Sequence, residues 1–234
     1  MIKLTGFQLK LIAAFLMLID HIYQFIPGTP IVFTYFGRLV APVFIFLAVE
    51  GFHYTRNRYE YIGRLLGFGV IMHIGSRLML MWIPSSQGIP NNIFLSIGLS
   101  IAFLQFVEYY QVEKRFKWNS LLAIAILVAL AKTEGSYMVL WLVILFYKYR
   151  GNTIAINSSM VIISAVFGFL MLDTSKPVSE MLLYNYQWMM VFSLVLINLY
   201  NGKRGRGWKY FFYIYYPLHI WVLYYLGVTR FGYM

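Results

Sequence analysis

Apolar residues run along this chain in long blocks, and short polar clusters separate them. The first block is LKLIAAFLMLIDHIYQFI (9–26). A helix needs about 20 such residues to cross a hydrocarbon core. On that measure the blocks predict helices at 8–26, 31–52, 61–83, 92–110, 119–132, 136–148, 152–172, 184–200 and 210–227. The fifth and sixth are short, and one broken element is the alternative to two helices.

The polar clusters arbitrate. With the amino terminus in the cytoplasm, the cytoplasmic segments are Lys3 and Lys10, then HYTRNRYEYIGR, QVEKRFKW, KYRGN and NGKRGRGWK. They hold 14 of the 19 Lys and Arg, against Lys132, Lys176 and Arg230 outside. Positive charge is retained on the cytoplasmic side of membrane proteins. Merging helices five and six inverts the later loops and puts Lys203, Arg204, Arg206 and Lys209 outside. The expectation is therefore an all-α, polytopic transmembrane helix bundle of about nine helices. Its amino terminus is cytoplasmic, and 1–234 form a single integral membrane domain.

Composition agrees. The chain is 61% hydrophobic and 12% charged, where a soluble domain carries roughly 25% charged residues. Its net charge of +11 is explained by topology, so no nucleic-acid partner is expected. The absence of cysteine excludes thiol nucleophiles, disulfides and thiolate metal sites. The first block carries Asp20-His21 and no small-residue cleavage site follows it, so it is expected to be a retained helix rather than a cleaved signal.

Asp20, His21, Arg38, His73, Arg77 and His219 fall inside the apolar blocks. Ionisable groups in hydrocarbon persist where they pair, line a cavity or do chemistry. On the predicted topology Asp20, His21, Arg38 and Arg77 share the outer half of the membrane with Asn91-Asn92. Adjacent helix positions point about 100° apart, so Asp20 and His21 do not face each other. Asp20 is expected to pair with Arg38 or Arg77 from another helix, leaving His21 to face a cavity as base, acid or acyl acceptor. His73 shares a face with Arg77. His219 follows Pro217, and serves either a local backbone group near that proline or a site. Asn91 and Asn92 cap the fourth helix or hold an acceptor. The four His have no metal-ligand spacing, and no metal is expected.

The stretches LTGFQLKLIAAFLMLIDHI (4–22), FGRLVAPVFIFLAVEGFHYTRNRYEYIGRLL (36–66), NNIF (91–94) and YPLHI (216–220) resemble the TraX family, named for F-pilin acetylation. The resemblance implies a membrane-embedded acetyltransferase, distantly similar to transmembrane acyltransferases. Such an enzyme takes acetyl-CoA from the cytoplasm and modifies an outer acceptor, either an exported protein's amino terminus or an envelope glycan. It implies a multi-pass protein of the bacterial cytoplasmic membrane. Arg56, Arg58 and Arg64, in the positive loop after helix two, and Lys203, Arg204, Arg206 and Lys209, before helix nine, then become candidates for the CoA phosphates; the matched motif favours Arg56 and Arg58, with Glu50 shaping the entrance. His21 takes the acceptor proton or the acetyl group, Arg38 or Arg77 stabilises the oxyanion, and Asp20 orients one of them. His73, His219, Asn91 and Asn92 are the cavity candidates. A proton-coupled transporter is the alternative, because buried Asp, His and Arg also make proton relays. Against it, no matching pair of broken helices is apparent.

Overall fold

A computed structural model describes residues 3–113, 117–170, 186–208 and 210–232, with 111–113 and 117–120 as backbone only. The described residues form nine α-helices: α1 Gly6–Phe25, α2 Val32–Tyr54, α3 Arg58–Trp82, α4 Ile93–Glu113, α5 Lys117–Leu130, α6 Ser136–Lys148, α7 Thr153–Leu170, α8 Ser193–Asn198 and α9 Phe211–Phe231. No strand occurs among them. Six of these, α1 to α4, α7 and α9, are long and apolar enough to cross a membrane. The expected helix margins at 171–172 and 184–185, the loop 173–180 with Lys176, and Lys114, Arg115 and Lys209 lie outside the described residues.

The helix starts follow local chemistry. Thr5 and Gln8 form a reciprocal capping box at α1, which satisfies two backbone donors that a helix start leaves open. Asn57 caps α3 through the Glu60 N–H, 3.0 Å. The eighth element departs from expectation. It is not one α-helix but a 3₁₀ stretch, Gln187–Phe192, that runs into the short α8.

The chain divides into two compact units. One comprises residues up to Phe44 and from Tyr149 onward; the other is Ile45–Lys148. In the second unit, α4 fixes how the short helices run. At its start, the Asn92 N–H donates to the Glu134 carboxylate, 2.6 Å, and the Ser96 hydroxyl donates to the Glu134 carbonyl. At its far end, the Tyr147 hydroxyl donates to Glu108. Glu134 precedes α6 and Tyr147 nearly ends it, so α6 runs parallel to α4. The distance from Ser96 to Glu108 along α4, about 18 Å, matches that from Glu134 to Tyr147 at about 20 Å. α5 and α6 are thus two antiparallel helices with the turn 131–135 at the Asn92 end.

In the first unit, contacts pair Phe7 with Phe212, Ala14 with Tyr215, His21 with His219 and Phe25 with Tyr224. Both series rise together, so α1 and α9 are parallel. Backbone bonds Leu4 N–H to Leu199 O, Asn201 N–H to Leu4 O, Gly6 N–H to Lys203 O and Phe7 N–H to Arg204 O hold the segment 199–204 at the start of α1.

Candidate functional site

Three groups in the first unit make a continuous hydrogen-bonded chain. His21 Nδ1 and His219 Nε2 are 2.7 Å apart, and His219 Nδ1 lies 2.7 Å from the Tyr215 carbonyl oxygen. Both imidazoles are buried. A carbonyl oxygen only accepts, so His219 Nδ1 carries the proton in that bond. With both rings neutral, His219 Nε2 is then an acceptor, and His21 Nδ1 must be the donor to it. The remaining lone pair of His21 is at Nε2. The chain thus selects one tautomer of His21 and presents its basic nitrogen on the side away from His219.

His219 donates to the carbonyl one turn before it. That is not the carbonyl Pro217 frees, which belongs to Tyr213, four residues before the proline. The expected local role is therefore met in altered form, and His219 also reaches across to α1.

Beside the pair sits Asp20. Its carboxylate rests directly on α2 at Gly37, where an added Cβ would lie 2.1–2.4 Å from the carboxylate atoms. Only glycine admits that approach. Thr34 hydrogen-bonds to Asp20, and Arg38 lies within electrostatic reach of both Asp20 and His21. Of the two arginines expected to serve Asp20, Arg38 is the one that does. The two meet through Thr34, whose hydroxyl also accepts from Arg38 Nη2 at 3.4 Å, rather than in a direct ion pair. Arg38 is further held by Gln187, Nη1 to Oε1 3.1 Å, and its guanidinium lies over the Tyr186 ring, 4.8 Å from the centroid. Its Nε–H is buried with no partner among the described residues. A buried donor left open is costly, and here it belongs to a cation held on three sides.

The other candidates lie in the second unit. Arg77 and His73 are exposed on α3. Asn92 caps α4: its Oδ1 accepts from the Leu95 N–H at 3.4 Å, and its Nδ2 donates to the Gly69 carbonyl at 2.9 Å. Asn91 and Glu50 are buried. Arg58 is ion-paired to Glu108 and stacked over Phe52, 4.4 Å from the ring centroid. Arg64 pairs with Glu60 one turn away, 2.5 Å. Arg56 is exposed in the α2–α3 loop. Two of these three arginines are therefore already neutralised by carboxylates.

The sequence reading missed Thr34, Tyr186 and Gln187. Thr34 had a usable signal, since it is one turn from Arg38 on the same face. The only sign for Gln187 was an amide in the otherwise apolar run 186–192.

The family model described as TraX protein matches residues 5–227. This chain belongs to the TraX family. It is also 28% identical over 244 residues to a probable fimbrial assembly protein FimC, serogroup H1, of Dichelobacter nodosus, with 95% of each chain covered. No solved structure matches. The match takes in all four residues brought together in the first unit, Asp20, His21, Arg38 and His219. It also takes in the middle of the chain, where the sequence reading found only hydropathy in common.

Proposed function

We propose that this TraX-family protein is a membrane-embedded acetyltransferase. It moves an acetyl group from acetyl-CoA to an amine or hydroxyl acceptor at the outer side of the bacterial cytoplasmic membrane, an exported protein's amino terminus or an envelope glycan. The observation that carries the reading is the tautomer-fixing chain from Tyr215 O through His219 to His21, beside a cation with an open donor.

In the one-step route, the acceptor attacks the thioester carbonyl carbon. His21 Nε2 takes the acceptor's proton, the C–S bond breaks, and the proton passes to the CoA thiolate. In the two-step route, Nε2 itself attacks, the thiolate leaves, and the acetyl-imidazolium then passes its acyl group to the acceptor, whose proton balances the departed thiolate. In both, positive charge develops on His21, and its Nδ1–H bond to His219 spreads that charge. The Arg38 Nε–H is suited to the oxyanion, and Asp20 and Thr34 hold Arg38 in place. The relative named for fimbrial assembly supports an exported-protein acceptor.

The same chain is a poor proton relay. It ends on a backbone carbonyl, which accepts a hydrogen bond but cannot pass a proton on, and this favours the enzyme over the transporter.

The test is transfer of labelled acetyl from acetyl-CoA in inverted membrane vesicles, with wild type and His21→Ala. The chain has no cysteine, so CoA thiol release can be followed without background from the protein. The variant should insert normally and lose both label and thiol release. Wild-type turnover in His21→Ala would remove His21 from the chemistry and overturn the reading.

A further inference from the structure

The segment 199–206 is basic, and it is also built. Four backbone hydrogen bonds fasten it to residues 4–7. Asn201 Oδ1 accepts from the Lys203 N–H at 2.9 Å. Gly202 and Gly205 have φ of 74° and 76°, in the left-handed region that favours glycine. At Gly205 an added Cβ would lie 2.6 Å from the Thr5 hydroxyl oxygen, so the loop seats closely on the α1 cap. Lys203, Arg204 and Arg206 project from this frame, all exposed. Lys10, on the second turn of α1, lies within electrostatic reach of Arg204 and over the Phe212 ring, 5.8 Å from its centroid.

Among the described residues of this unit, no carboxylate balances these four cations. Of the chain's eight acidic residues, only Asp20 falls in the described part of this unit. Asp20 stands about 15 Å farther along α1 than Lys10 and is engaged with Thr34. The contrast with Arg58 and Arg64, each paired with a carboxylate, is direct. A loop that served topology alone needs charge but no fixed shape. Holding like charges together in a fixed shape costs energy that a bound anion offsets.

We propose that Lys10, Lys203, Arg204 and Arg206 form a phosphate-binding site, and that the phosphates are those of the CoA donor. This rests on the acetyl-CoA reading above and moves the donor anchor away from Arg58 and Arg64. The site runs from the start of α1 to Lys10, and His21 lies eleven to fifteen residues on, about 16–22 Å. The extended pantetheine arm of CoA covers a gap of that order. Phosphates held at the loop thus direct the thioester toward His21 Nε2.

The experiment measures CoA binding by calorimetry on the full chain in phosphatidylcholine nanodiscs. It compares wild type with K203Q/R204Q/R206Q and with Gly205→Ala, which keeps every charge but breaks the seat on Thr5. Phosphatidylglycerol retention is read in parallel by native mass spectrometry. CoA affinity should fall at least tenfold in the triple variant and severalfold in Gly205→Ala. Should wild type bind CoA and both variants bind equally well, the site is overturned while the acetyl-CoA reading stands. Unchanged CoA affinity with lost phosphatidylglycerol retention would give the cations to a lipid headgroup and overturn the donor assignment. Absence of CoA binding in the wild type would overturn the acetyl-CoA reading itself.

Discussion

His219 decides which nitrogen of His21 is basic, and that role is separable from binding. Without it, His21 loses the acceptor that fixes Nδ1 as its donor, and on the proposed mechanism the charge developing in the transition state loses that acceptor too. His219→Ala should lower kcat by about 10²–10⁴, the range for a disabled acid–base group, with KM for acetyl-CoA nearly unchanged. His219→Gln, which retains an acceptor atom, should recover part of the loss. A kcat within twofold of wild type in the Ala variant would make the pair structural. At this scale the sequence was legible where residues ionise. Asp20, His21, Arg38 and His219 stand out because charge and imidazole are rare in apolar blocks. The uncharged partners did not stand out, since a threonine or a glutamine costs little in a helix. Nor could any local spacing join Arg38 to Gln187 or His21 to His219, which are 198 positions apart.

α1 and α2 meet at one glycine, and the site depends on that contact. The Asp20 carboxylate occupies the space a Gly37 side chain would need. Gly37→Ala should therefore push Asp20 off α2, costing about 1–3 kcal/mol as overpacking does, and loosen Thr34 and Arg38 with it. Thermal unfolding in detergent and acetyl transfer should both fall. Combining it with Asp20→Ala removes the clash, so stability should return toward that of Asp20→Ala alone while transfer stays low. Additive stability losses in the double variant would show that the carboxylate is not what Gly37 accommodates. The helices themselves were largely readable. The predicted bounds of α2, α6 and α9 fall within about four residues of those observed, because hydropathy sets the body and caps set the ends. The early start of α1 is explained by Thr5 and Gln8, a signal present in the sequence but outweighed by the apolar block that follows. The eighth element was misjudged because an apolar run does not distinguish a 3₁₀ stretch from an α-helix.

The number of crossings follows from direction rather than from length. Helix α6 has 13 residues, about 20 Å, less than the roughly 30 Å of a hydrocarbon core. On length alone, α5 and α6 read as one interrupted pass. The contacts at the two ends of α4 show two antiparallel helices instead. The turn between them is tied to the start of α4 through Asn92, Ser96 and Glu134. Independently, α1 and α9 run parallel, which requires an odd number of crossings; merging α5 with α6 would make them antiparallel. The charge pattern gave the same count because a single merged helix exposes Lys203, Arg204 and Arg206 on the wrong side. A chain without cysteine lets single thiols report sidedness. Ser86→Cys, Lys132→Cys and Gly207→Cys should divide two to one under an impermeant maleimide applied to intact cells. The first two should react from outside, and Gly207→Cys only after the membrane is opened. Ser86→Cys and Gly207→Cys together on one side would mean that an odd number of passes does not separate them. The parallel alignment of α1 and α9 would then be wrong, and with it the geometry that brings His219 to His21.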